Sequence, residues 1–213
     1  MRVRGSVVAV VLALVAAALV GIGLGHALGV DREHVPGTFA ASPIPASSPS
    51  YPVTPAEVEP DDPYPALATG LPTRPVKVGS APFQVVLPVP RGWFRSDSTA
   101  GEWRWYPAAD KTKNLYFVRV SQVSNTHQSV PAALADRIKA LRGAADVDDF
   151  DLESQQADRF LATYVAFAHR RVNYEGYLPR GGTAYLRIAV IGREADRAGL
   201  AELFDELMAD TQV

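Results

Sequence analysis

The sequence predicts an α+β fold, an antiparallel sheet sandwiched by helices, carried behind a single transmembrane helix and a disordered Pro-rich stalk. Three observations predict it. No Asp, Glu, Lys or Arg occurs between Arg4 and Asp31. From Pro36 to Pro75 there are 11 prolines in 40 residues. Beyond Val76, β-branched and aromatic runs alternate with two segments of helical period. The expected division is 1–6 as a cytoplasmic n-region, 7–29 as a transmembrane signal anchor, 30–75 as linker and 76–213 as an extracytoplasmic globular domain.

Val7 to Ile22 is an almost unbroken run of Val, Leu and Ala, and the uncharged stretch continues to Val30. A helix of roughly 20 residues crosses a bilayer core of about 30 Å, so the stretch is long enough to span. Arg2 and Arg4 precede it while Asp31 and Glu33 follow it, which orients the N-terminus toward the cytoplasm. A cleaved secretory signal peptide is the alternative, with Gly25-His26-Ala27 as a poor small-x-small site and a secreted domain as its product. Ala9, Ala13, Ala17, Gly21, Gly25 and Gly29 recur every four residues, a ridge of small side chains on which two such helices could pair into a homodimer. An Ala/Gly-rich segment also yields such a row by composition alone. The chain has no Cys, which excludes a lipid anchor, disulfides, thiol catalysis and Cys-based metal sites.

Proline fixes φ and removes a donor, so 36–75 reads as a stalk able to reach on the order of 120 Å at about 3.1 Å per residue. Its acidic group Glu57, Glu59, Asp61 and Asp62 reads as a solvated patch, with a docking motif as the alternative.

Within the domain, Phe83 to Leu87 predicts a strand that Pro88-Val89-Pro90-Arg91-Gly92 ends. Glu102 to Tyr106 and Leu115 to Val123 predict a hairpin across Pro107 to Asn114. Ser129 caps a helix with Pro131 in its first turn and Val130, Leu134, Ile138 and Leu141 on one side, stopped by Gly143. Asp149 to Ser154 alternates acid and apolar, as in an edge strand. Arg159 to Tyr174 and Thr183 to Ile191 predict a long hairpin across Pro179-Arg180-Gly181-Gly182. These strands are apolar on both faces, which requires helices on each side of the sheet. Asp196 caps a last helix whose Leu200, Leu203, Phe204, Leu207 and Met208 follow one face.

The run from Phe83 to Trp93, the Trp-rich strand after it, and the closing Gly192, Asp196, Leu200, Leu203, Leu207 and Thr211 resemble the PsbP-like and LpqN-like family over about residues 80 to 212. The resemblance implies an α/β/α sandwich and a binding or accessory module in place of an enzyme. LpqN-like members in actinobacteria are exported to the cell envelope, usually as lipoproteins. This chain lacks the lipid-bearing Cys, and its apolar N-terminus stands as the substitute anchor. Arg outnumbers Lys 17 to 4, a usage that fits a GC-rich bacterial genome.

Residues 76–213 carry 17 basic and 17 acidic side chains, which gives no electrostatic case for nucleic acid. Trp93, Trp103 and Trp105 fall close together and would make a stacking surface if exposed, or a core pair if not. His169-Arg170-Arg171 could bind an anion or could pair with Asp149, Asp151 or Glu153 across the sheet. Asp146, Asp148, Asp149, Asp151 and Glu153 lack the loop glycine of a calcium-binding hand and read as a solvated strand face. His127 reads as a loop residue. There is no G-x-S-x-G, P-loop or H-E-x-x-H, and no cofactor, metal or catalytic residue is expected. The expected function is a membrane-anchored, non-catalytic binding or accessory module of the bacterial cell envelope that docks an envelope protein or ligand. An envelope hydrolase or transferase, and a structural or sensory ectodomain, are the alternatives.

Overall fold

The computed structural model describes residues 56–107, 115–123 and 127–213. The expected span 7–29, its small-residue ridge (Ala13, Ala17, Gly21, Gly25, Gly29) and most of the stalk lie outside them. Among the described residues no helix is long and apolar enough to cross a membrane.

Among the described residues nine strands and two α-helices follow in order: β1 Thr73–Val78, β2 Val85–Pro90, β3 Phe94–Thr99, β4 Glu102–Tyr106, β5 Phe117–Gln122, α1 Val130–Arg142, β6 Asp148–Gln155, β7 Arg159–Ala166, β8 His169–Arg180, β9 Thr183–Gly192 and α2 Arg197–Asp210. Strands β3 to β9 form one antiparallel sheet of order β3-β4-β5-β9-β8-β7-β6, and β1 pairs with β2 beside it. The two helices and the mostly antiparallel sheet agree with an α+β fold.

Alternation along the strands sends side chains to two cores. Val118, Val120, Leu186, Ile188 and Val190 join Leu200, Leu203, Phe204 and Leu207 of α2 and the inward residues of β1 and β2. On the other face Phe160, Ala162 and Tyr177 meet Leu134, Ile138 and Leu141 of α1. Every apolar position expected on α2 is buried. For α1, the Ser129 hydroxyl accepts from the Ala132 amide and the Gly143 amide donates back to Lys139, so the expected caps close both ends.

Three expectations need correction. The ordered domain does not begin at 76: residue 76 lies inside β1, and the segment before it packs as a strap. Leu67 is buried, its amide donates to Asp196 Oδ1 at 2.9 Å, and Arg193 holds the Tyr64 and Pro65 carbonyls at 3.2 Å. Prolines suit such a strap because an extended chain docked through carbonyls needs few donors. Secondly, β2 continues through Pro88 to Pro90, because a two-stranded ribbon leaves one side of each strand without a ladder. Thirdly, the expected single strand from Arg159 to Tyr174 is two strands. Phe167 and Ala168 both adopt positive φ, 51° and 63°, and turn the chain without any Gly or Asn to announce it.

Asp196 stands at the start of α2 but makes no side-chain cap bond to the helix. It instead accepts the Arg193 amide and guanidinium and the Leu67 amide. Burial pushes its carboxyl up, yet the Arg193 side chain and these two amides outweigh burial and hold it below the usual carboxylate range.

Two predictions follow for the strap. Gly199 faces the Leu67 carbonyl so closely that an added Cβ would stand 2.3 Å from that oxygen. Gly199→Ala therefore displaces the strap in spite of alanine's better helix propensity and costs about 1–3 kcal/mol, read as a lower Tm together with faster hydrogen exchange at the Leu67 amide. A depressed carboxylate contributes stability above its unfolded pKa, about 3.9, and loses it as pH falls through the folded value. The Leu67 amide of the wild type should thus lose protection on acidification below about pH 4, whereas in Asp196→Asn its protection should be independent of pH across that range.

Candidate functional site

Charged side chains in the middle of an apolar sheet need partners, and four elements here supply them to one another. Glu175, at the centre of β8, is fully buried. Arg137 of α1 donates to it through Nε at 2.6 Å and through a terminal nitrogen at 3.3 Å. Arg187 of β9 stands 3.6 Å away and Arg119 of β5 4.0 Å. Asn173, two residues along β8 on the same face, donates to Glu175 Oε2 at 3.1 Å. Burial pushes the Glu175 carboxyl up, but Arg137, Arg187 and Arg119 together bring it below the ordinary value.

One carboxylate thus faces three guanidiniums. Arg137 is the best served, and its pKa is raised against the opposing effect of burial. Arg119 is the worst served: burial pushes it down and Glu175 does not restore it while Arg187 and Arg137 repel it. Its Nε is buried without an acceptor, as the Asn173 Oδ1 is without a donor.

Arg137 reaches from α1 to the sheet and divides the α1 face into two open pockets. One, of about 390 Å³, lies against Ser121, Gln128, Asp136, Ala140, Tyr177 and Arg187. The other, of about 430 Å³, is lined by Arg104, Arg119, Arg137, Arg171 and Tyr164 on its polar side. Arg104 is held by Glu102 at 2.5 Å, and Arg171 by Asp61 of the strap at 2.8 Å. Burial pushes the Tyr164 and Tyr177 hydroxyls up, so both are neutral donors at physiological pH.

The tryptophan surface is not formed. Trp93, Trp103 and Trp105 are 9, 8 and 1% exposed and belong to the α2 core, with Trp103 opposite Val120 and Trp105 opposite Val118. Even alternation in β4 turns both strand tryptophans to the covered face. The triplet His169, Arg170 and Arg171 is taken up by partners: His169 Nδ1 contacts the Glu59 carbonyl at 3.1 Å and stands 3.5 Å from Asp61, Arg171 pairs with the same Asp61, and Arg170 pairs with Asp149. Of the three, only Arg171 reaches a described pocket. Glu153 pairs with Arg197 at 2.7 Å, and no group of three or more His, Asp or Glu poised for a metal occurs among the described residues.

Glu175 and its arginines escaped the sequence reading because they come from four elements with no fixed spacing. The available signal was placement: Arg119 sits between Val118 and Val120, and Arg187 between Leu186 and Ile188, each a lone charge inside an apolar strand.

No family model matches the chain, and no curated protein matches its sequence. Among solved structures it is similar to LpqN, described as involved in cell envelope biogenesis of Mycobacterium tuberculosis, at 13% identity, over 66% of this chain and 90% of that one, with a TM-score of 0.38.

Proposed function

We propose that the chain is a non-catalytic binding or accessory module of the bacterial cell envelope, held at the membrane by its N-terminal helix, and that it binds its ligand or partner protein in the cleft under α1. The observation that carries the binding site is the half-covered sheet face. Among the described residues a single helix crosses it, leaving open pockets of about 390 and 430 Å³ on either side of the Arg137–Glu175 contact, whereas α2 with β1 and β2 covers most of the opposite face and leaves a smaller pocket of about 190 Å³ beside Phe204. Location is supported by the uncharged run from Gly5 to Val30 and by the resemblance of 83–93 to PsbP-like and LpqN-like proteins.

A binding role fits the chemistry of the cleft better than a hydrolase or transferase. Its one fully buried acid is neutralised by three arginines and is held ionised, which suits an anchor and not a proton donor near neutral pH. Its tyrosines are held protonated.

A photo-crosslinking amino acid, p-benzoylphenylalanine, should separate the faces. At Ala140 in the cleft it gives an adduct in intact membranes of the source organism; at Lys77 on the exposed side of β1 it does not. Equal adducts from both positions, or none from Ala140, would remove the cleft as the binding site. Glu175→Gln should lower stability by about 3 kcal/mol, because it leaves three half-buried arginines without their counter-charge, and denaturant unfolding measures it. A variant of wild-type stability would show that Glu175 is free for another task.

A further inference from the structure

We infer that the pocket between α1, β5 and the β7–β8 turn binds a small organic anion with an apolar body, an aryl or alkyl carboxylate or phosphate monoester, whose charged head sits on Arg119. This deepens the cleft reading and rests on it. The polar half of the case is the unmet charge of Arg119. Arg104, Arg137 and Arg171 each have a carboxylate within 2.8 Å, from Glu102, Glu175 and Asp61. Arg119 has none closer than 4.0 Å among the described residues, and that one is shared with two other guanidiniums. Its Nε lacks an acceptor, while part of its side chain is exposed on the pocket. A half-buried guanidinium in this condition gains from any anion that reaches it, because its planar fork suits a carboxylate or phosphate and part of the desolvation is already incurred.

The other half is the wall. Phe117, Leu141, Val147, Phe167 and Ile191 line the same pocket. Phe167 is 84% exposed at the tip of the turn, an apolar side chain held toward water by positive φ. A bare inorganic ion would leave these surfaces wet, whereas an apolar body covers them. Asp146 is the one acid lining the pocket, and it disfavours heads of high negative charge.

Titration calorimetry on the full chain, with phenyl phosphate, benzoate, inorganic phosphate and benzyl alcohol as probes, tests the inference. Phenyl phosphate or benzoate should bind, inorganic phosphate about tenfold or more weakly, and benzyl alcohol not measurably. Arg119→Gln should weaken the organic anions about tenfold, the loss of one charge-assisted contact, while leaving the Tm of the free protein unchanged or higher. Phe167→Ser should weaken phenyl phosphate and leave inorganic phosphate unaffected. Equal binding by Arg119→Gln and wild type, equal affinity for inorganic and phenyl phosphate, or no binding of either organic anion overturns it. Cross-linking from Ala140 with no organic anion bound removes the ligand class alone, and loss of both removes the cleft as well.

Discussion

One buried carboxylate organises the domain. Glu175 sits at the centre of β8 with arginines of β5, β9 and α1 turned toward it, so four elements share a single negative charge. Removing the carboxylate strands three guanidiniums in a poorly solvating interior, whereas removing the least-served of them relieves repulsion among the others. The contact also explains where α1 lies. Its apolar side packs on Phe160, Ala162 and Tyr177, and Arg137 fixes the helix across the sheet without sealing it.

The opposite face follows a different logic. There α2, β1 and β2 bury aliphatic and tryptophan side chains in one continuous core, and Asp196 and Arg193 fasten the strap across its edge. The two sides of the sheet thus differ in character: one is largely covered and apolar, the other more open and charged. The close approach of Gly199 to Leu67 belongs to the closed side, where a backbone must lie against a helix and no side chain fits between them.

Sequence pattern revealed the closed side far better than the open one. The i, i+3, i+4 spacing of Leu200 to Met208 marks α2, and the caps of α1 are local signals, so both helices were legible. The strap was not. Its composition is that of a free linker, and only the long-range bonds of Leu67 and Asp61 show that it is docked. The turn at Phe167-Ala168 was hidden because its positive φ angles are imposed by strand pairing on residues that do not favour them. The arginine cluster was hidden for a topological reason: residues 119, 137, 175 and 187 meet only because β9 lies between β5 and β8.

The strap has a mechanical side. Among the described residues, the strap bonds to the sheet at Glu59, whose amide donates to the Ala168 carbonyl at 2.7 Å, and then at Asp61, which grips Arg171 and stands 3.5 Å from His169. Leu67 and its bond to Asp196 come later along the path. A pull on the strap from its N-terminal end would load first the turn that carries Phe167 and the arginine beside it, at the rim of the charged pocket. The strap and the pocket share a handle in Arg171, so that moving one shifts the other.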